Sequence, residues 1–337
     1  MTNGGNGKIT LDDLARLAGV SASTVSRALN DHRLISTGTK QKIWALAREH
    51  GYHFKSSFGR PSTGAAGSIS IVTPYNRGRP LPLSHPFFLE LLASIGEAAR
   101  ARDCDFTVSH AAAATLDDLK QATQPGASSG VIFLGQASLH DAFNQLADTK
   151  ARFVVWGAHL PGQRYRSVGS DNVVGGRRAT AHIARSGRKR ILFLGGSDPE
   201  AAQRRRGYAE ALAASNLEMD QSLILQVEFE LESAETSVAQ LIERGVKFDG
   251  VFAASDLMAL GAIKAIRRAG LSVPDDVSVV GYDDMLLARL STPTLTTIRQ
   301  DTAEAGRLLV ASILDPDLFR GRGVLPTELI VRESCGS

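Results

Sequence analysis

Apolar positions recur at helical spacing in three short segments near the start of the chain, and then switch to short continuous runs. Leu11, Leu14, Ala15, Leu17 and Ala18 form the first stripe, a spacing that places them on one helix face. Thr10 with Asp13 supplies a Thr-x-x-Asp capping signal before it, and Gly19 a stop after it, because glycine takes the left-handed backbone that other residues resist. Ser21 can cap a second helix over Ala22 to Leu29, with Val25, Ala28 and Leu29 facing inward. Ser36 or Thr37 opens a third, buried through Ile43, Leu46 and Ala47, and Gly51 ends it. Helix, tight glycine turn and helix make a helix-turn-helix pattern. From Ser68 onward the runs SISIVTP, DFTVSHA, GVIFLG, RFVVWG, RILFLGG, LILQV, GVFAAS and VSVVGYDD read as strands. Segments such as FFLELLASIGEAARA, LHDAFNQLAD and LMALGAIKAIRRAG between them read as helices. This alternation predicts parallel sheets covered on both faces. Two doubly wound halves in tandem leave a crevice at the carboxyl ends of their strands, where ligands bind in such sheets.

Charge sharpens the picture of the head. The 337 residues carry a net charge of +3, but residues 1–60 hold nine Lys or Arg against four acids, and the remainder holds 29 against 31. A basic head on a near-neutral body points to a polyanion partner for the head alone. The second helix begins Ser21-Ala22-Ser23-Thr24, small and polar enough for its backbone to approach phosphates and base edges. Arg27, one turn on, can reach guanine O6 and N7 in bidentate fashion. ITLDDLARLAGVSASTVSRALN, followed by TKQKIWALAREHGY, resembles the DNA-binding head of the LacI–GalR family of bacterial transcriptional repressors. The resemblance implies that Ala22 and Ser23 read bases, that Arg27 is a base-contacting arginine, and that Ser21, Thr24, Ser26 and Asn30 meet or support the phosphate backbone. Thr10 is counted with these DNA-contacting positions.

The resemblance continues through HPFFLELL, SDNVVGGRRATAHIARSGRKRILFLGG, RRRGYAEAL, AASDLMALGAIKAI, VPDDVSVVGYDD, LTTIRQD and LPTELIVRES. The expected fold is a small all-α helix-turn-helix head plus an α/β body of two doubly wound parallel-sheet subdomains, similar to periplasmic binding proteins. Expected boundaries are a head at 8–53, a hinge or linker at 54–67, and an effector-binding and dimerisation domain at 68–337. Within the body, the family implies an N-subdomain at about 68–166 and 298–325, and a C-subdomain at about 167–297 and 326–337.

A polyhydroxylated ligand needs polar groups that bind adjacent hydroxyls in pairs and a flat apolar surface for the ring. Strand ends supply Asp171, Asn172, Arg204, Ser255, Asp256 and Asp283, while Phe87, Phe88, Trp156 and Phe229 lie near strand ends or the crevice entrance. Family positions single out Phe87, Asp171, Asn172, Arg204, Phe229, Ser255, Asp283 and Gln300 as crevice-lining. Arg206 can pack structurally while Arg204 points inward. Taken singly, each of these acids reads first as a helix cap or loop residue; converging on one crevice, the set favours ligand binding. Enzyme signals are weak. Gly126-Ala127-Ser128-Ser129-Gly130 matches a hydrolase string but precedes a strand, whereas a nucleophile elbow follows one. Asp283 and Asp284 are adjacent and diverge at a strand end, unlike the opposed carboxylates of glycosidases. Gly195-Gly196 is no phosphate loop, and the histidines, His85 and His182 among them, lack metal-ligand spacing.

The sequence therefore predicts a DNA-binding regulator and repressor, not an enzyme, needing neither cofactor nor metal. Its expected partners are a pseudo-palindromic double-stranded DNA operator, a sugar-like effector and a second copy of itself in a homodimer. A sugar-binding receptor without DNA regulation is the alternative; the basic head and the lack of an export signal in MTNGGNGKITLDDLARLAGV argue against it. No apolar stretch reaches membrane-spanning length, and two cysteines, Cys104 and Cys335, suit a reducing cytoplasm. No heptad follows LPTELIVRES, so a dimer is expected rather than a tetramer.

The stretch FKSSFGRPSTGAAG departs from the family pattern. There a short hinge helix inserts a leucine into the minor groove, a wedge mechanism that kinks DNA. Here Phe54-Lys55 replaces Pro-Asn, Phe58-Gly59 replaces Ala-Arg, and Pro61 takes the leucine's place. Proline disrupts a helix running through it. The expectation is a truncated or non-helical hinge touching the minor groove through Phe58 or Pro61, with Lys55 and Arg60 on phosphates.

Overall fold

The protein is described here by a computed structural model covering residues 9–29, 32, 34–50, 52, 67–76, 79–80, 85–109, 112–124, 126, 128–315 and 323–336. The chain divides into two units near residue 64. In the first, α1 (Leu11–Ala18), α2 (Ala22–Leu29) and α3 (Thr37–Glu49) surround a core of Leu14, Ala18, Val25, Ala28, Leu29, Ile43 and Ala47. Thr10 and Asp13 close a reciprocal capping box on α1, and Gly19 ends it at φ +69°. Ser21 and Ser36 accept from the backbone N–H of Thr24 and Thr39, capping α2 and α3. The third helix thus starts from Ser36, one of the two starts the sequence allowed.

The body begins with β1 (Ser68–Val72) and a two-stranded ladder of β2 (Tyr75–Asn76) and β3 (Arg79–Pro80). It continues through α4 (Pro86–Arg100), β4 (Asp105–Val108), α5 (Leu116–Ala122), β5 (Gly130–Leu134), α6 (His140–Ala147), β6 (Phe153–Trp156) and β7 (Ser167–Ser170). A second series follows: α7 (Asn172–Arg185), β8 (Ile191–Gly195), α8 (Pro199–Ala214), β9 (Ile224–Gln226), α9 (Leu231–Glu243), β10 (Gly250–Ala253) and α10 (Asp256–Arg268). Last come β11 (Ser278–Asp283), α11 (Leu286–Leu290), β12 (Thr296–Gln300), α12 (Thr302–Leu314), β13 (Gly323–Leu325) and β14 (Thr327–Ile330). The strands form two six-stranded sheets, ordered β13-β7-β6-β5-β1-β4 and β14-β12-β11-β10-β8-β9. Within these two sheets every pairing is parallel except β12 with β14, an antiparallel edge that the alternation did not predict. Phe133, Ile132, Val154 and Leu91 pack one sheet, and Phe193, Phe252, Val279 and Ile266 the other; strands buried on both faces read as continuous apolar runs for this reason.

Sheet membership moves the expected subdomain crossings. β7 pairs with β6, so the first crossing falls after Ser170 rather than near 166. β12 pairs with β11, so the second falls after Gln300 rather than before 298. The third lies at Pro326, between β13 in one sheet and β14 in the other. The three crossings are side by side, since Leu325 is in register with Ser170 and Thr327 with Gln300.

Helices α7 and α8 cross at contact distance. A Cβ on Gly207 would stand 2.1 Å from the carbonyl oxygen of Val173, and one on Gly176 would stand 2.2 Å from that of Arg204. Only glycine permits this approach, and it holds Arg204 on α8 against the start of α7. Gly207→Ala is expected to force the helices apart and destabilise the body by about 1–3 kcal/mol, the usual cost of overpacking. Urea unfolding of the variant and its parent measures it.

Candidate functional site

Two surfaces carry candidate chemistry, one in each unit. In the head, the buried Val25, Ala28 and Leu29 fix which face of α2 looks outward. Ser21, Ser23 and Arg27 are exposed, and Ala22, Thr24 and Ser26 are half-buried. The Ser21 hydroxyl lies 2.9 Å from those of both Ser23 and Thr24, so the start of α2 is a compact hydroxyl-lined surface with Arg27 one turn along. The hydroxyl and backbone N–H of Thr10 are both engaged with Asp13, which gives Thr10 a capping task and holds the Asp13 carboxyl below its usual range. Lys42 donates to the carbonyl of Ala18 at 3.1 Å, tying α3 to the end of α1. Asn30, Lys55, Phe58, Arg60 and Pro61, and with them the expected hinge, lie outside the described residues.

In the body, a cavity of about 520 Å³ opens at the carboxyl ends of the strands of both sheets. Its polar floor is a ring of side chains at the chain crossings. Ser170 Oγ donates to Gln300 Oε1 at 2.6 Å, and Gln300 Nε2 donates to Asp283 Oδ1 at 2.7 Å. Asp283 faces the Arg204 guanidinium at 3.9 Å; Arg204 Nε donates to Asn172 Oδ1 at 2.8 Å, and Asn172 Nδ2 returns to the carbonyl of Ser170 at 3.1 Å. Arg204 also donates to the carbonyl of Ala254 and lies 3.7 Å from the centre of the Tyr282 ring. Burial pushes the Asp283 carboxyl up to about 7, against the pull of Arg204 and the Gln300 hydrogen bond. Asp283 and Asp284 have φ of +116° and +57°, a backbone region that L residues rarely adopt and that clusters at functional sites. Below the floor, Asp256 accepts from Thr297 Oγ1 and from the backbone N–H of Met285. Its buried carboxyl, beside Asp283, is held well above the usual range.

One wall is aromatic: Phe87 lies 5.7 Å from Trp156 and from Phe88, and His85 lies 5.7 Å from Phe88. Burial drops the His85 imidazole to about 4, so it is neutral at physiological pH. The opposite wall carries Phe229 with Asp198, Glu200, Glu228 and Glu230. Asp198 caps α8 through Ala201 N–H, and Glu200 accepts from the Ala158 N–H at 3.2 Å, across from the other sheet's loop. The Glu200 carboxyl is raised to about 7 by burial and by the charge of Asp198.

Of the eight crevice residues the sequence singled out, the structure brings Phe87, Asn172, Arg204, Phe229, Asp283 and Gln300 together around this cavity. Asp171 and Ser255 do not line it. Asp171 caps α7 through Val174 N–H and faces a smaller recess with His159 and Gln203. Ser255 is fully buried as the cap of α10, accepting from Met258 N–H, and is not part of the cavity lining. Arg206 stays at the surface with Glu210 at 2.9 Å while Arg204 is buried. The sequence reading missed Gln136, Ser170, Asp198, Glu200, Glu228 and Glu230. Gln136 lies two residues beyond the end of β5, so the strand-end rule that found Asp283 could have found it.

Known proteins show the same two parts. Residues 10–54 match the family described as bacterial regulatory proteins, lacI family, and residues 180–335 match a periplasmic binding protein-like domain. The chain is 32% identical to the HTH-type transcriptional regulator CelR of Thermobifida fusca, over 96% of this chain and 98% of that one. It is 31% identical to the HTH-type transcriptional regulator DegA of Bacillus subtilis, over 97% and 98%. Among solved structures, the CelR–cellobiose complex aligns with a TM-score of 0.68 at 30% identity, covering 97% of this chain and all of that one. The Lac repressor dimer bound to operator and the anti-inducer ONPF aligns with a TM-score of 0.69 at 25% identity, covering 98% and 99%.

Proposed function

The chain belongs to the lacI family of bacterial regulatory proteins, and we propose that its α2 surface reads the operator while the body cavity holds the controlling sugar. It is a DNA-binding transcriptional regulator. The observation that carries the reading is the convergence of six predicted side chains on one cavity at the strand ends of both sheets. Its size lies within the range of about 300–1,000 Å³ typical of small-molecule sites, and its polar floor faces an aromatic wall suited to a sugar ring. Relatives solved with cellobiose and with ribose support the ligand class.

Ala22, Ser23 and Arg27 are the base-reading residues of this proposal; Ser21, Thr24 and Ser26 meet or support the phosphate backbone. Two heads on a homodimer engage two half-sites of a pseudo-palindromic operator, in the cytoplasm where the DNA lies. An exposed apolar patch suits the dimer contact: Leu89 on α4 and Leu286 and Leu290 on α11 are 52%, 56% and 69% exposed. Leu286 N–H donates to Glu90 at 3.2 Å, which links the start of α11 to α4. A sugar that binds one arrangement of the two subdomains better than the other shifts the protein between DNA-binding states.

A gel shift on the DNA upstream of the neighbouring operon, with and without a panel of sugars, tests the reading. A specific shift that one sugar abolishes or strengthens is expected; its absence at moderate salt would count against the proposal. Exchanging Ala22 and Ser23 for other small residues is expected to change base preference and leave sugar affinity unaltered, read by binding to a library of operator variants and by calorimetry with the sugar.

A further inference from the structure

The cavity is strongly asymmetric in charge and in hydrogen-bonding sense. Among the described residues five acidic side chains line it, Asp198, Glu200, Glu228, Glu230 and Asp283, with Glu200 and Asp283 raised to about 7 by burial, against a single cation, Arg204. That cation is partly engaged: its Nε donates to Asn172 and one Nη to the Ala254 carbonyl, it faces Asp283 at 3.9 Å and stacks on Tyr282, and its other N–H groups are left for a ligand. The donors of the floor are partly used as well: the Ser170 hydroxyl donates within the ring, and the Gln300 and Asn172 amides each spend one of their two N–H groups there. Acceptors remain. Gln136 is 1% exposed, and its amide nitrogen donates to the Ala158 carbonyl and the Tyr165 hydroxyl, while its Oε1 has no partner. Glu200 accepts from the N–H of the same Ala158, so the Gln136 amide and the Glu200 carboxyl flank one residue, with Asp198 close enough to Glu200 to raise its carboxyl.

A buried acceptor without a donor is costly, so this corner calls for a ligand rich in hydroxyl or amine donors. A phosphate or carboxylate on the ligand would have the remaining Arg204 N–H groups as its one cationic partner among the described lining residues, with the acidic side chains of Asp198, Glu228 and Glu230 around it. Among the described residues no group of three His, Cys, Asp or Glu is placed to hold a metal ion that could reverse that charge. We propose that the effector is a sugar without negative charge, and that Asp198 and Glu200 are specificity residues that exclude its phosphorylated and uronic forms. This deepens the sugar reading above and rests on it.

The test is calorimetry on the full chain with matched sets: glucose, glucuronate and glucose 6-phosphate; ribose and ribose 5-phosphate; cellobiose and the corresponding β-1,4-linked glucuronyl-glucose. In any set that binds, the neutral member is expected to bind at least about tenfold tighter, since like-charge juxtaposition in a desolvated site is strongly unfavourable. Asp198→Asn with Glu200→Gln keeps cap and acceptor geometry and is expected to narrow that gap by weakening the exclusion; thermal unfolding confirms that the variant folds. An anionic member binding as tightly as its neutral partner overturns the inference alone, as does an unchanged gap in the folded variant. Binding of no member of any set overturns the sugar reading itself, and this inference with it.

Discussion

Arg204→Met is expected to abolish sugar binding and to destabilise the body by about 3–5 kcal/mol, the cost of leaving one member of a buried ion pair alone. For a body of this size that is a fall in unfolding temperature of roughly 10 °C. Arg204 and Asp283 are 5% and 6% exposed, so solvent offers little compensation. The effect depends on pH in a definite direction. The folded protein raises the Asp283 carboxyl from 3.8 to about 7, with burial raising it and Arg204 the leading influence against. A raised carboxyl contributes stability that is present below its unfolded value and lost as pH climbs through the folded one. Removing Arg204 lifts the folded value further and extends the loss to higher pH. The deficit of the variant relative to its parent should therefore grow between about pH 6 and 8. Thermal unfolding of both proteins at the two pH values measures it; an equal deficit at both would show that Asp283 is not the group left unpaired.

The second large effect lies in the head. Arg27→Ala is expected to cost about 1–3 kcal/mol of specific binding per half-site. With both heads of a dimer affected, operator affinity falls about 30-fold or more. The side chain is exposed, and Val25, Ala28 and Leu29 beneath it are untouched, so the helix survives. Fluorescence anisotropy with the operator and with a scrambled duplex separates the possibilities. A base-reading arginine loses affinity for the operator far more than for the scramble and leaves the salt dependence nearly unaltered. An equal loss on both duplexes would make Arg27 a phosphate contact.

What could be read from the chain beforehand depended on whether a signal had one physical meaning. The head was legible because Thr10, Gly19, Ser21 and Ser36 mark helix ends next to unbroken apolar stripes, and the structure uses each in that way. The sheets were legible because GVIFLG and RILFLGG are buried on both faces. The cavity was harder, because the residue types that cap helices also bind hydroxyls. Ser255, Asp171 and Asp198 all sit at helix starts. Of these, the two predicted to line the cavity only cap, while the one passed over, Asp198, does both. Gln136 and Glu200 escaped because their role depends on the Ala158 peptide, contributed by another strand's loop. Pairing was illegible for a similar reason: nothing local in TELI reveals that it runs antiparallel to β12.

The hydrogen-bonded ring of Ser170, Gln300, Asp283, Arg204 and Asn172 sits beside all three places where the chain passes between the sheets. Anything that turns one subdomain against the other pivots close to this ring, so its atoms move least. The aromatic wall around Phe87 and Trp156 belongs to one lever arm, and the acidic wall around Glu200 and Phe229 to the other. Contacts at the pivot are then made in every orientation and set how tightly a sugar is held. Contacts that span the two arms are made only when they close and set how strongly the sugar is felt at the DNA. Affinity and responsiveness are thereby assigned to different residues, and a regulator built this way can be retuned to a weaker or sharper signal without exchanging the sugar it recognises.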